Sequence, residues 1–292
     1  MTEFKSLDDI DFAGKRVFLR ADLNVPMNNR AITDAARITE AAVALRELLD
    51  GGAAGVLASH LGRPKGKAVP EFSLRPVAAQ LAGELGGAAI EFVDGWGGSR
   101  PEDAAAALQP GEVLLLENLR FEPGEEANDP AFAARLAALA DIYVDDAFSC
   151  AHRAHASIIG VPGLLPAAAG RLMQKELEAL KAALEEPEHP VAAIVGGNKI
   201  STKLGVLENL IAKVDHLLIG GAMVHTFLLA DGIDVGRSLA EPEMVDTARR
   251  IIDAANGNGC RLTLPTDVRV AAELAETADS KAVSVDAIPD RM

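Results

Sequence analysis

Short apolar runs alternate along the whole chain with longer stretches in which alanine and leucine recur at helical spacing. The runs predict strands over Arg16 to Arg20, Gly55 to Ser59, Ala89 to Val93, Glu112 to Glu117, Asp141 to Val144, Val191 to Val195, His216 to Ile219 and Arg261 to Leu264. The stretches between them predict helices over Asp34 to Leu49, Leu74 to Leu85, Pro130 to Ala140, Arg171 to Glu185, Ser201 to Ala212, Ala222 to Ala230 and Pro242 to Asn256. Strands that alternate with helices form βαβ units, so the fold class is α/β with parallel sheets.

Each of several apolar runs ends in a short polar loop that carries arginine, histidine or paired glycine. In open parallel sheets ligands bind outside the carboxyl ends of the strands, so these loops converge on one crevice. A proline-bracketed helix after Gly160 reads as a connector rather than core. It divides the chain into a lobe over 1–170, a hinge helix and linker over 171–189, and a second lobe over 190–292. That second lobe has about three predicted strands, and an open sheet so small exposes a strand edge and an apolar face.

A chain of 292 residues suits two domains. No apolar run is long enough to cross a bilayer, and Met1 to Arg20 has no signal-peptide pattern, so a soluble cytoplasmic protein without a membrane partner is expected. Cys150 and Cys260 are too few for a disulfide framework or a thiolate metal site, which suits a reducing compartment. The formal net charge of −15 argues against nucleic acid, because backbone binders display a basic face. A local cluster of arginines can still attract small anions against that background.

Arg20, Arg37, Arg63, Arg120 and Arg153 form such a cluster in sequence terms, since four of them sit at or just after strand ends. Arg37 opens a helix behind Thr33 and Asp34, both acceptable caps. Guanidinium groups grip phosphate and carboxylate through paired parallel hydrogen bonds, which implies a substrate with more than one anionic group. His60, beside Gly62 and Arg63, is the better candidate of the loop histidines for a hydrogen bond to a substrate oxygen. No His or Cys spacing suits zinc. Gly196, Gly197, Asn198, Lys199, Ile200, Ser201, Thr202 and Lys203 join a strand to a helix without the spacing of a Walker A loop. Paired glycines there leave room for a flat base or a phosphate, with Lys199 and Lys203 one helical turn apart. Gly220 and Gly221 repeat the glycine pair after the next strand.

The runs RADLNVP (Arg20 to Pro26), SHLGRP (Ser59 to Pro64), LENLRF (Leu116 to Phe121), DDAFSCAHRAHAS (Asp145 to Ser157) and GGNKISTKLGVLENL (Gly196 to Leu210) resemble the signature segments of the phosphoglycerate kinases, in that family's order. The resemblance runs from about Lys15 to the last residue. It implies two Rossmann-like parallel-sheet lobes joined by a hinge helix. It also implies reversible phosphoryl transfer between 1,3-bisphosphoglycerate and ADP, giving 3-phosphoglycerate and ATP in glycolysis, with magnesium carried by the nucleotide. Asp22, Asn24, Arg37, His60, Arg63, Arg120 and Arg153 match the triose positions, with Leu23, Leu61 and Gly62 in the same segments. Lys203 matches the nucleotide-phosphate lysine, and Gly196, Gly197, Gly220 and Gly221 match the adenosine walls. Arg37 and Lys199 are the expected cations nearest the transferring group, with Arg63, Arg120 and Arg153 anchoring the distant phosphate. Asn198 and His225 depart from the family's usual residues. Past Met292 the family continues with further nucleotide-binding segments, so the resemblance implies an incomplete second lobe. The alternative is a non-catalytic homologue that only binds phosphorylated triose acids. A monomer is expected.

Overall fold

A computed structural model describes residues 4–185, 187–273, 275 and 277–290. It divides into two compact units, Met1–Ala179 and Leu180–Met292, and the division falls inside the helix that the sequence marks as a connector.

In the first unit the elements run β1 (Arg16–Ala21), β2 (Met27–Asn28), β3 (Ala31–Ile32), α1 (Ala36–Asp50), β4 (Ala54–Ala58), α2 (Arg75–Glu84) and β5 (Ile90–Val93). They continue with α3 (Arg100–Ala107), β6 (Val113–Leu116), α4 (Pro123–Glu126), α5 (Pro130–Ala137), β7 (Ile142–Asp146), β8 (Ala167–Ala169) and the first part of α6 (Arg171–Leu184), which runs on past the division. Six strands form a parallel sheet in the order β5-β6-β4-β1-β7-β8. Its centre is apolar on both faces, as helices on both sides require. Val17, Leu19, Leu57 and Val144 pack with Ile38, Leu45 and Leu48 of α1. Phe18, Val56, Leu114 and Tyr143 face the other way, toward Phe132 and Leu136 of α5. The period of two along β1 thus assigns alternate residues to the two cores. The parallel register aligns Arg20 with Ala58 on one side and Asp145 on the other, so the loops after β1, β4 and β7 leave the sheet at one edge.

The second unit contains β9 (Ala192–Gly196), α7 (Leu204–Ile211), β10 (His216–Gly220), α8 (Val224–Ala230), α9 (Val245–Gly257), β11 (Arg261–Thr263), β12 (Asp267–Ala271) and β13 (Ser280–Ser284). A parallel sheet runs β11-β10-β9, and β12 pairs antiparallel with β13. Leu217, Ile219, Phe227, Ile251 and Ala255 make its core. β9 is an edge strand of that sheet, and Ile194 on it is 79% exposed.

Four local expectations need correction. α7 starts at Leu204, because Ser201 to Lys203 form a turn tied to Glu241, so Lys199 and Lys203 are not on one helical face. α1 is flanked by Ala35; Asp34 accepts the Ala36 N–H at 2.9 Å, while the Thr33 hydroxyl donates to Pro26 O. α9 begins at Val245, after a tight turn over Pro242–Met244. α3, β8 and the two hairpins carry too short or too polar a pattern to be read as elements from the sequence.

Candidate active site

The loops after β1 and β4 are stitched together by hydrogen bonds from backbone to side chain. Ser59 Oγ accepts the Leu23 N–H at 2.8 Å, and Asn24 Oδ1 accepts the Gly62 N–H at 2.8 Å. Leu23 and Leu61 are buried and contribute through their backbones, with Leu61 O accepting from Asn118 Nδ2 at 2.7 Å. Gly62 adopts φ +61°, and a Cβ there would strike the Phe72 ring, so only glycine allows this approach.

Asp22 is a hub. Its carboxylate accepts from the Asn24 N–H at 3.1 Å, from the Ser149 hydroxyl after β7, and from the Arg37 guanidinium on the first turn of α1. Arg120 is 3% exposed; it donates to Gly62 O at 2.8 Å and lies 3.4 Å from Glu126 at ion-pair range. Burial lowers its pKa, and the neighbouring Arg153 and Arg20 act in the same direction against Glu126. Arg153 is half-buried and close enough that its charge also acts on His60. Arg63 is exposed and makes no hydrogen bond or ion pair with the described residues, so its guanidinium is open to a ligand. Hydrogen bonds therefore join Asp22, Asn24, Arg37, Gly62 and Arg120 directly, Leu23 and Leu61 are tied in through Ser59 and Asn118, Arg153 is linked through space and the Arg63 side chain stands apart. A cavity of about 560 Å³ opens beside Asn24, Leu61 and Gly62, and one of about 230 Å³ beside Asp22, Arg37 and Ser149.

His60 is 4% exposed, and its Nδ1 lies 3.2 Å from Arg20 NH2 and 3.9 Å from the Cys150 thiol. Burial, then the charges of Arg20, Arg120 and Arg153, push its pKa down to about 2, so the ring is neutral at any working pH. Arg20 is not a ligand-facing arginine. Its side chain is fully buried and hydrogen-bonded to Ser157 Oγ at 2.9 Å, whose hydroxyl donates to Glu125 at 2.6 Å. Glu125 is itself fully buried. Burial would raise its pKa, but His155, the Arg20 charge and the Ser157 donors together hold it below the usual carboxylate range. No sequence signal marks this inner layer, because Glu125 reads as one more surface acid in an acidic run. Ser149 also escapes a sequence reading; it lies within a motif whose arginine and histidines are the more conspicuous residues.

In the second unit the register pairs Gly196 with Gly220 at the carboxyl ends of β9 and β10. Gly221 has φ +69°, and a Cβ there would lie 2.7 Å from Gly197 O, so the two glycine pairs are in backbone contact. Met223 N–H donates to Gly197 O at 2.9 Å, which closes the corner. Lys203 flanks the start of α7, and its aliphatic carbons would lie within 3.9 Å of a Gly197 Cβ. Lys199 and Lys203 are both exposed. Glu241 is buried and accepts from Ser201 Oγ at 2.6 Å. Burial opposes its ionisation, but Ser201 and the Lys199 charge hold its pKa low. His225 Nδ1 donates to Leu239 O at 2.8 Å, beside a cavity of about 400 Å³ that Arg269 also lines. The exposed glycine corner with two lysines at its rim can take a polyphosphate, because backbone N–H groups and point charges both suit it.

The family model described as Phosphoglycerate kinase matches residues 7–292. The chain belongs to the phosphoglycerate kinase family. Relatives named phosphoglycerate kinase include those of Cereibacter sphaeroides strain ATCC 17029, 54% identical over 286 residues, and of Granulibacter bethesdensis, 53% identical over 287 residues. Each match covers 98% of this chain and 72% of the relative. Among solved structures, phosphoglycerate kinase from Coxiella burnetii superimposes with a TM-score of 0.84 at 42% identity, over 98% of this chain and 72% of that one. The enzyme from Pyrococcus horikoshii OT3 gives 0.78 at 29% identity, over 96% and 71%. The chain is thus a phosphoglycerate kinase by family, a transferase of the kinase class acting in glycolysis, and a binding-only homologue is not favoured. The α/β fold with parallel sheets is the family's own.

Proposed function

We infer that the chain binds 3-phosphoglycerate or 1,3-bisphosphoglycerate in the first unit and an adenine nucleotide on the glycine corner of the second. The observation that carries this reading is the convergence of Arg37, Arg120 and Arg153 on a neutral His60 and on the Asp22–Asn24–Gly62 stitch. That is a basic site with its acceptors already occupied, so its remaining donors are left for anions. Phosphoryl transfer between a carboxylate and a nucleotide needs charge stabilisation and alignment more than a covalent nucleophile, and arginine and lysine supply both.

Arg63, Arg120 and Arg153 anchor the phosphate remote from the reaction. Asp22 and Asn24 orient the hydroxyl and carboxyl end. Arg37, held by Asp22 until a better acceptor arrives, and Lys199 meet the transferring group. Lys203 takes nucleotide phosphate, and Gly196, Gly197, Gly220 and Gly221 let the base lie against the backbone. Magnesium would come with the nucleotide, neutralising phosphate charge and taking its ligands from phosphate and water. The donor set here fits that arrangement: two exposed lysines for phosphate oxygens, and Glu241 already occupied by Ser201. The net charge of −15 favours a soluble monomer without nucleic-acid or membrane partners. Among the described residues no helix is long and apolar enough to cross a membrane.

Calorimetric titration of 3-phosphoglycerate tests the triose site. Arg63→Ala should leave the melting temperature unchanged, because Arg63 has no partner to lose, and weaken binding by about 2 to 5 kcal/mol. Unchanged affinity in the folded variant would remove Arg63 from the site.

A further inference from the structure

The inner layer behind His60 has a direction. A carboxylate only accepts, so the Ser157 hydroxyl, 2.6 Å from Glu125 Oε1, must give its proton to Glu125 and turn its lone pairs toward Arg20. Arg20 Nε–H donates to that oxygen at 2.9 Å, and NH1 donates to Ala21 O at 2.5 Å. A guanidinium is rigid and planar, so fixing two of its nitrogens fixes the third. The third is NH2, 3.2 Å from His60 Nδ1. Guanidinium has no acceptor, which means Nδ1 must be the bare nitrogen and the ring proton must sit on Nε2. The Cys150 Sγ lies 3.9 Å from the same Nδ1, and Nε2 takes no partner among the described residues. The serine is held in turn: its N–H donates to Glu125 Oε2 at 3.0 Å and its carbonyl accepts from Tyr143 OH at 2.7 Å.

We propose that Glu125, Ser157 and Arg20 are positioning residues that act through one another to fix His60 as its Nε2–H tautomer, so that the ring offers the triose acid a donor and never an acceptor. Each step is a hydrogen bond whose polarity the previous one dictates. The arrangement differs from a plain buried ion pair, in which Arg20 and Glu125 would touch directly and the tautomer of a neighbour would be indifferent. Here the serine stands between the charges, and the free arm of the arginine is aimed at the histidine. A ring with its proton on Nδ1 would present a lone pair from Nε2 to a phosphate or carboxylate oxygen, and two acceptors repel. The relay therefore serves specificity for anions. The short helix α4 ties it to the rest of the site, because Glu125 holds the relay while the adjacent Glu126 faces Arg120.

This inference rests on the reading that His60 meets substrate, but its test does not. The full chain, labelled with 15N in histidine, is observed by two-bond proton–nitrogen correlation without ligand, and His60→Gln identifies the His60 signals. The expected result is a single neutral ring with the proton on Nε2, unchanged from pH 5 to pH 8. A proton on Nδ1, or a mixture, in the wild-type chain would overturn the proposal. Ser157→Ala removes one oxygen and is expected to yield mixed tautomers and 3-phosphoglycerate binding about tenfold weaker, a factor worth about 1.4 kcal/mol. A pure Nε2–H ring retained in a cooperatively melting Ser157→Ala chain sinks the relay, whatever binding does. Absence of 3-phosphoglycerate binding by the wild-type chain, with the tautomer pure, would sink the site reading and leave the relay standing.

Discussion

The two candidate sites use opposite means to hold anions. The first unit holds its arginines and histidine with side chains, through buried layers in which Glu125, Ser157, Arg20 and His60 each have an assigned partner. The second unit builds its site from backbone, with glycines of β9 and β10 in register and exposed lysines at the rim. The difference follows from what must be recognised. A small acid with charges at both ends is gripped by fixed forks, and a small error in any fork loses alignment. A nucleotide has a flat base and a flexible polyphosphate, for which room and mobile point charges suffice. Substitutions should therefore fail differently in the two units: through buried polarity in the first and through space in the second.

The largest expected effect is in the first unit. Glu125→Ala takes from the buried Arg20 guanidinium the carboxylate at the end of its relay and leaves Asp145, its neighbour in register, as the other acid on which its charge acts. Removing one charge from a buried charged network costs about 3 to 5 kcal/mol. Chemical denaturation followed by a probe in the first unit should show this loss, with 3-phosphoglycerate affinity falling alongside. A loss below about 1 kcal/mol, the scale of an exposed pair, would mean that water reaches Arg20, and the contrast between the units would lose its basis.

A smaller effect is expected in the second unit, with a different cause. Gly221→Ala places a methyl group 2.7 Å from Gly197 O at a φ of +69°. Overpacking and left-handed strain together cost about 2 to 4 kcal/mol if the corner holds its shape. The alternative is that the corner shifts, in which case stability is spared and the space for the base is lost. Equilibrium binding of ADP separates these outcomes from a third, unchanged stability with unchanged ADP affinity, that would show the glycine contact to be dispensable. Lys203→Ala, by comparison, should touch affinity and its salt dependence alone.

The same division explains what can be read from the amino-acid order. Strands β1, β4, β6 and β7 are legible because strands covered on both faces are apolar runs, and the loops after them are legible because arginine, histidine and paired glycine are rare together. Arg37 and Arg120 are linked through Asp22, Asn24 and Gly62, and the Arg153 charge acts on Arg120 and His60, while Arg20 is buried behind them. Strand periodicity alone fails there, since Arg20 continues an apolar strand and its burial depends on partners that the fold brings in, Ser157 with Glu125 behind it and His60. Glu125, one acid in the run Glu122 to Glu126, cannot be told from its solvated neighbours. The lysine spacing after Gly197 misleads because Glu241, 40 residues past Ser201, draws the first turn out of the helix.

The smallest effect sharpens the comparison within the first unit, by setting an incompletely satisfied carboxylate beside the well-satisfied Glu125. Asp146 ends β7 at 2% exposure, and its Oδ1 accepts the N–H groups of Leu172 at 2.7 Å and Met173 at 3.1 Å at the start of α6. Its Oδ2 is buried without a partner. Burial pushes its pKa up to about 6, with Asp145 and Glu40 adding to the rise and the two N–H donors opposing it. A carboxyl whose pKa is raised by folding binds its proton more tightly in the native state. Its stabilising contribution is therefore complete below the unfolded value near 4 and is lost as pH climbs through about 6. Asn cannot titrate but keeps the Oδ1 acceptor. Between about pH 4 and pH 7 the Asp146→Asn chain should then gain about 2 to 3 kcal/mol on the wild type, because each pH unit between the unfolded and folded pKa is worth roughly 1.4 kcal/mol. Any fixed cost of burying the amide changes both ends equally and leaves that difference intact. Denaturant unfolding of both chains across this range measures it, and parallel pH profiles would mean that Oδ2 finds a solvent partner and that Asp146 is as well satisfied as Glu125.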